Sequence, residues 1–279
     1  MSARSTFEKA RRNALGIVGI VLASAAIVAA IAAPLVAPHD PLHADFAQSL
    51  KPPGTAGHPW GTDQLGRDLF SRVVYGARIA LFIGFCTVLL TAVVGGLLGL
   101  LAGYFGGWPG TAVMRLADVQ LSFPFILLAL TINAIVGLGL RNIIISLAAA
   151  GWVVYARVVR GEVLSVKQRE YVHAAAALGL GRGRILFRHV LPNVLPSIII
   201  VASLQFSQFI VAEAAISFLG FGVQPPTPAW GSMLSESRDF LYVAWWLAAF
   251  PGAALALTAL GINLVGDWLR DLLDPKFRA

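Results

Sequence analysis

The sequence predicts an all-α membrane protein with six transmembrane helices, and three observations carry that prediction. Of its 279 residues 57% are hydrophobic and 13% charged, whereas a soluble domain has roughly a quarter of its residues charged. The apolar residues gather into runs close to the ~20 residues that cross a hydrocarbon core as a helix. The basic residues behind the net charge of +7 collect beside those runs, so their sum does not point to nucleic acid. Cys86 is the single cysteine and lies inside an apolar run, which excludes a disulfide framework and a cysteine metal site.

Residues 1–13 carry Arg4, Lys9, Arg11 and Arg12 ahead of the apolar run Ala14–Ala33. Alanines before Pro34 imitate a signal-peptide cleavage site, but the apolar part of such a peptide has about 7–15 residues. The run is therefore read as an uncleaved first span over residues 14–33, with the N-terminus inside. Residues 34–78 are polar and punctuated by Pro34, Pro38, Pro41, Pro52, Pro53 and Pro59, so an external, irregular segment is expected. At its end Leu65, Leu69, Phe70, Val73, Val74 and Ala77 recur at helical spacing, with Arg67, Asp68, Ser71 and Arg72 largely opposite. That pattern predicts an amphipathic helix lying at the membrane interface.

A core of five spans is expected over residues 79–265. Span two, 79–101, carries Gly95, Gly99 and Gly103 on one stripe, which lets a neighbouring helix approach closely. Span three, 117–136, has Asp118 and Gln120 at its inner end and Asn133 within it. Span four covers 143–159 and span five begins near Ser197. Ser203, Gln205, Ser207, Gln208 and Glu213 on span five, together with Asn133, are candidates to line a translocation path or to bond between helices. Glu213 is expected to play a structural or gating role near the outer end. Pro225, Pro226 and Pro228 predict a stiff external stretch, with Trp230 at headgroup level. Span six covers 240–265, and residues 266–279 form an internal C-terminus. With both termini inside, 15 of the 21 lysines and arginines fall on the inner side, as the positive-inside rule requires.

Residues 160–192 form the long inner loop, and its segment Glu170–Pro196 is too basic to enter hydrocarbon. Ala174 to Ala177 favour helix, whereas Gly179, Gly181 and Gly183 interrupt it, so two short helices bent at glycine are expected. An ordinary basic loop would share this composition, but the spacing is more particular. Ala174, Ala175, Gly179, Leu191 and Pro192 stand where the cytoplasmic EAA motif of binding-protein-dependent ATP-binding-cassette importer permeases has its residues. His173 stands where that motif has glutamate, with Glu170 one turn earlier.

Three further stretches resemble the dipeptide, oligopeptide and nickel branch of that family: GTDQLGRDLFSRVVYGARIAL before span two, ISFLGFGVQPPTPAWGSML after span five, and the ending GDWLRDLLDPKFRA. The branch often has serine where Ala80 stands. Asp118 and Pro124 also match the family's spacing. The resemblance implies a type I importer permease fold in a bacterial inner membrane, with both termini cytoplasmic. It further implies a second, similar permease, two cytoplasmic ATPase subunits or domains that bind ATP and Mg, and an external solute-binding protein delivering di- or oligopeptides. Relatives in the branch carry nickel complexes or glutathione. By resemblance, Glu170, Tyr171, His173, Ala174, Ala175, Gly179, Arg182 and Pro192 are the residues expected to couple to the ATPase.

Chemistry within the chain itself is not expected. No GxxxxGK[ST] occurs and no lysine follows a glycine, so a phosphate-cradling loop is missing. LGLGRGR lacks a preceding strand. His39, His43, His58, His173 and His189 form no metal-binding spacing such as HExxH, and no catalytic, cofactor or metal residue is assigned. Two other classes stay open. An ion-coupled carrier would suit Glu213 but would show internal repeats and helices broken at the midplane, which the sequence does not display. A membrane enzyme would need reactive groups clustered at one depth.

Overall fold

The computed structural model describes residues 14–273; Arg4, Lys9, Arg11, Arg12, Lys276 and Arg278 lie outside the described residues. The described residues are mostly helical, with isolated β-bridges at Thr55–His58 and Thr62–Asp68. Five helices are long and apolar enough to cross a bilayer, and a sixth span results if one bent pair counts as a single crossing.

Helix α1, Ala14–Val36, continues past its expected end at Ala33 because Pro34 sits in the last turn, where Ala37 still donates to the Ala33 carbonyl at 3.0 Å. A strap of turns over residues 37–68 includes a short 3₁₀ turn, Phe46–Gln48. Helix α2, Leu69–Phe105, follows as one 37-residue rod. The expected interfacial helix is therefore absent: its residues are the first turns of α2, capped by Asp68, whose carboxylate accepts from the Ser71 amide at 2.8 Å.

Arg67, Asp68, Ser71 and Arg72, expected on a wet face, are all buried. The physical reason is pairing. Asp63 accepts from Arg67 Nε at 2.6 Å and also from Arg72, while Glu236 accepts from Arg67 at 3.0 Å, Arg72 at 3.2 Å and Gln64 at 3.1 Å. These bonds fasten the strap to helix α9, Trp230–Glu236. Trp230 is likewise buried, not at headgroup level: its indole donates to the Val73 carbonyl at 2.9 Å and covers Gly76 of α2.

The third span is not one straight helix. It consists of α3, Gly107–Leu121, and α4, Phe125–Val136, turned by 96°. Pro124 has no N–H and disfavours helical geometry at Phe123, so the chain breaks there. Helix α5 spans Leu140–Lys167, longer at both ends than expected. Helices α6, Glu170–Ala177, and α7, Arg182–Ile185, form the inner loop.

A π turn, Leu186–Val190, then feeds α8, Leu191–Phe218, without a break. Span five was expected from Ser197, after two prolines. Pro192 is tolerated because it sits in the first turn of α8, where Leu191 has already shifted register to donate to Leu186. After α9 and a 3₁₀ turn at Arg238–Phe240, α10 runs Trp246–Leu273. It starts and ends later in the chain than the expected 240–265.

Helices α2, α5 and α8 pack on one another, with α1 and α10 along their flank. The glycine stripe of span two works as expected. A Cβ at Gly95, Gly99 or Gly103 would lie 2.3 Å from the Trp152 carbonyl, 2.5 Å from the Ala156 carbonyl and 2.8 Å from Val163. Only hydrogen leaves room for α5 to lie this close.

Candidate functional site

Helix α6 is held by two residues one turn apart. Val172 and Ala175 are buried with Leu100 and Tyr104 of α2, Val159, Val163 and Val166 of α5, and Ile185, Leu186, Val190 and Val194 beyond the loop. This single apolar cluster joins α6 to three membrane helices. The rest of α6 faces outward: Glu170, His173, Ala174, Ala176 and Ala177 are exposed, and so are Tyr171 at 39% and Leu178 at 80%.

Gly179 ends the helix in the left-handed conformation, φ +76°. The Gly179 amide donates to the Ala176 carbonyl at 3.0 Å and the Leu180 amide to Ala175 at 3.2 Å, the paired closure of a Schellman cap. Glu170 stands in the first turn, where a carboxylate favours the positive helix end. Lys167 Nζ donates to the Tyr104 carbonyl at 2.7 Å and ties the end of α5 to the end of α2. Arg182 and Lys167 share a recess of about 260 Å³ with Tyr104 and Phe105. Pro192 is exposed at the start of α8.

Glu170, Tyr171, His173, Ala174, Gly179, Arg182 and Pro192 are thus exposed, whereas Ala175 is buried in the cluster beneath α6. Leu178, the most exposed apolar residue of this surface, escaped the motif because the EAA pattern leaves its position unspecified.

Within the membrane, a groove of about 600 Å³ opens where the third span breaks. Pro124, Phe125 and Ile126 form one wall, Leu204, Ser207, Gln208 and Val211 of α8 another, and Ala259 and Asn263 of α10 a third. Ser207 donates to the Asn263 side-chain oxygen at 3.1 Å. Of the residues expected on a path, Ser207 and Gln208 line this groove.

Ser203 bonds within its own helix, to the Ile200 carbonyl at 2.8 Å, and Gln205 is buried. Asn133 and Glu213 do not reach the groove. Asn133 is buried and donates to the Phe221 carbonyl, and Ser146 donates to it at 3.3 Å. Glu213 is buried and accepts from Ser217 at 2.6 Å; Ser217 in turn accepts from the Val223 amide at 3.1 Å. Both residues hold the turn after α8 in place. Asn263 was missed by sequence reasoning, although a lone amide in an apolar run is a readable signal.

Asp118, with Arg157, and Gln120 brace the broken span. Gln120 donates to the Ala150 carbonyl at 2.7 Å and accepts from the Trp152 indole at 2.8 Å. The break itself corrects the expectation that no span is interrupted, so interruption no longer sets an ion-coupled carrier apart.

The family model described as binding-protein-dependent transport system inner membrane component matches residues 95–279, from the glycine stripe through the loop of α6 and α7 onward. The chain belongs to this permease family. A second model, the N-terminal TM domain of oligopeptide transport permease C, matches residues 3–53, covering α1 and the first part of the strap. The permease is 44% identical over 276 residues to a dipeptide transport system permease protein of Alkalihalophilus pseudofirmus, covering 99% of this chain and 90% of the relative. It is 44% identical to a di/tripeptide transport system permease protein of Pseudomonas aeruginosa, covering 96% and 89%. A glutathione transport system permease protein of Pectobacterium atrosepticum is 44% identical over 84% of this chain and 78% of its own length. The permease is a multi-pass membrane transport subunit.

Proposed function

We propose that this permease pairs with a second, similar permease to form the path by which di- or oligopeptides, delivered by an external binding protein, enter a bacterial cell across its inner membrane. Two cytoplasmic ATPase subunits or domains bind ATP and Mg, and this chain supplies no nucleotide site of its own. Both termini lie in the cytoplasm. The observation that carries the reading is the construction of α6: an exposed face ending in Leu178, mounted on buried Val172 and Ala175.

When ATP closes the ATPase pair, a helix gripped in their cleft moves, and the shared apolar cluster passes that motion to α2, α5 and α8. The energy available is limited to the difference in ATPase interaction between the inward and outward states. Exposed Glu170, Tyr171, His173, Ala174, Gly179, Arg182 and Pro192 surround this contact, with Ala175 beneath it. In the membrane, Ser207, Gln208 and Asn263 give the groove polar groups that peptide amides can exchange bonds with as they leave water.

The test is ATP hydrolysis and uptake by the complex purified with its genomically neighbouring subunits and reconstituted in vesicles. Hydrolysis should rise when binding protein loaded with di- or tripeptide is added, and Leu178→Asp should remove that rise while the permease still inserts. Stimulation by glutathione but by no other peptide would move the cargo to that tripeptide. Uptake driven by an ion gradient without ATP would overturn the reading.

A further inference from the structure

On the outer face, far from the docking helix, the fold gathers three residues that the sequence holds on separate segments. His39 follows α1, His58 sits midway along the strap, and Asp68 caps α2. One ligand atom from each lies within 4.8 Å of the others. His58 Nδ1 is 2.9 Å and His39 Nδ1 3.9 Å from the same atom, Asp68 Oδ1. The two imidazoles stack with centroids 4.6 Å apart and planes 25° from parallel.

The bonding around these atoms is incomplete in one place. Asp68 Oδ2 is committed to Ser71, accepting from its amide at 2.8 Å and its hydroxyl at 2.6 Å, which leaves Oδ1 facing the histidines. His39 Nδ1 is buried, yet it has no hydrogen-bond partner, and 3.9 Å is too far for one. No lysine or arginine pairs with Asp68 among the described residues.

We propose that His39, His58 and Asp68 form a divalent transition-metal site, with Zn²⁺ as the ion its donors suit best. Two imidazole nitrogens and one carboxylate oxygen are zinc chemistry, whereas Mg²⁺ and Ca²⁺ take oxygen donors. Zinc binds such atoms at about 2.0–2.2 Å, so the ion draws the His39 ring inward and satisfies the stranded nitrogen and the carboxylate together. The Asp68–Ser71 bonds fix the carboxylate from behind, as outer partners of metal ligands do. His39 also lines a cavity of about 870 Å³ with Asp40, Tyr75 and Arg78, which gives ions and water access and leaves room for a fourth ligand. Binding pins the strap to the first turn of α2. The site is separate from the groove at Ser207 and Gln208, so the ion is a resident clamp and not cargo.

The full chain, purified with its partner subunits by a tag free of histidine, is stripped with chelator and reloaded with Zn²⁺ or Co²⁺. One ion per chain should be retained, and Co²⁺ should show visible d–d absorption from a low-symmetry nitrogen and oxygen site. His39 is part-exposed and its ring makes no hydrogen bond, so His39→Ala should fold. It should weaken binding by at least the roughly 10- to 100-fold that even outer-shell partners of a metal carry, while exposed His43→Ala leaves binding unchanged. A wild-type complex that retains no stoichiometric metal, or His39→Ala with the wild-type cobalt spectrum, would overturn the proposal. What remained would be a histidine–aspartate hydrogen bond. Peptide transport plays no part in either readout, so failure here leaves the transport reading untouched.

Discussion

Gly179 shows how much one position decides. Its φ of +76° is a conformation that costs an L side chain roughly 1–2 kcal/mol, yet a Cβ added there meets nothing within 4 Å. Alanine therefore adds backbone strain alone, whereas tryptophan adds bulk on the face proposed to dock. Gly179→Ala should lower vesicle uptake partially and Gly179→Trp should abolish it, with both variants inserting normally. Equal uptake by the two would mean that backbone strain is the whole effect and no partner approaches this face. The charged residues of the strap behave differently because they are sealed from water. Asp63→Ala leaves Arg67 and Arg72 buried against Glu236 alone, and removing one partner of a buried ion pair costs about 3–5 kcal/mol. Thermal unfolding of the purified complex should occur at a clearly lower temperature, and an unchanged midpoint would show that water reaches the arginines. Sequence pattern put these arginines on a wet helix face because Glu236, their partner, lies 164 residues beyond Arg72. Local periodicity carries no signal at that separation. The same blindness hid His39, His58 and Asp68, which meet only when the strap folds back on α2.

At the scale of elements, apolar runs located the spans, but hydropathy alone could not reveal how α3 and α4 join. Both halves are apolar enough to belong to one crossing, and the 96° turn depends on backbone geometry at Pro124. In α1, α8 and α10 the internal prolines Pro34, Pro196 and Pro251 do not interrupt the helix, since neighbours in a bundle can compensate a lost backbone bond. A proline in the sequence thus marked a break in one span and none in three others. Helix α6 was legible in more detail because it depends on local signals: alanines for helix, glycine for the cap, and basic residues that bar entry to hydrocarbon. If the break shapes the groove, Pro124→Ala should narrow it by removing the roughly 3 kcal/mol that proline costs inside a helix. Gln208→Cys, in a Cys86→Ser background, reports this through its reaction with a water-soluble thiol reagent. Labelling should fall when Pro124→Ala is added. Labelling that held steady would place the cause of the turn in the braces at Gln120 and Asp118.

Across the whole molecule, α2 packs against α1, α3, α5, α8, α9 and α10. Its first turns carry Arg72 beneath the strap, its middle carries the glycine stripe, and its last two turns meet Val172 and Ala175 through Leu100 and Tyr104. In the proposed coupling, motion arriving at α6 reaches α2 and α5 together, provided that these two helices stay locked at their glycine crossing. That crossing was legible in sequence from the four-residue spacing, whereas its partner helix was not, because a stripe of small residues does not name what lies against it. The structure supplies a comparison that isolates the lock. A Cβ at Gly99 would sit 2.5 Å from the Ala156 carbonyl and 2.9 Å from Val159, while one at neighbouring Gly96 would rest 3.6 Å from Ile198, an ordinary contact. Overpacking of this kind costs about 1–3 kcal/mol, and here it must be relieved by separating α5 from α2. Gly99→Ala should lower both the thermal midpoint of the complex and its peptide-stimulated ATP hydrolysis, whereas Gly96→Ala should change neither. If the two alanine variants behave alike, the close crossing is not what carries motion from the docking helix to the groove, and α8, which also leaves the inner cluster and lines that groove, becomes the connecting element.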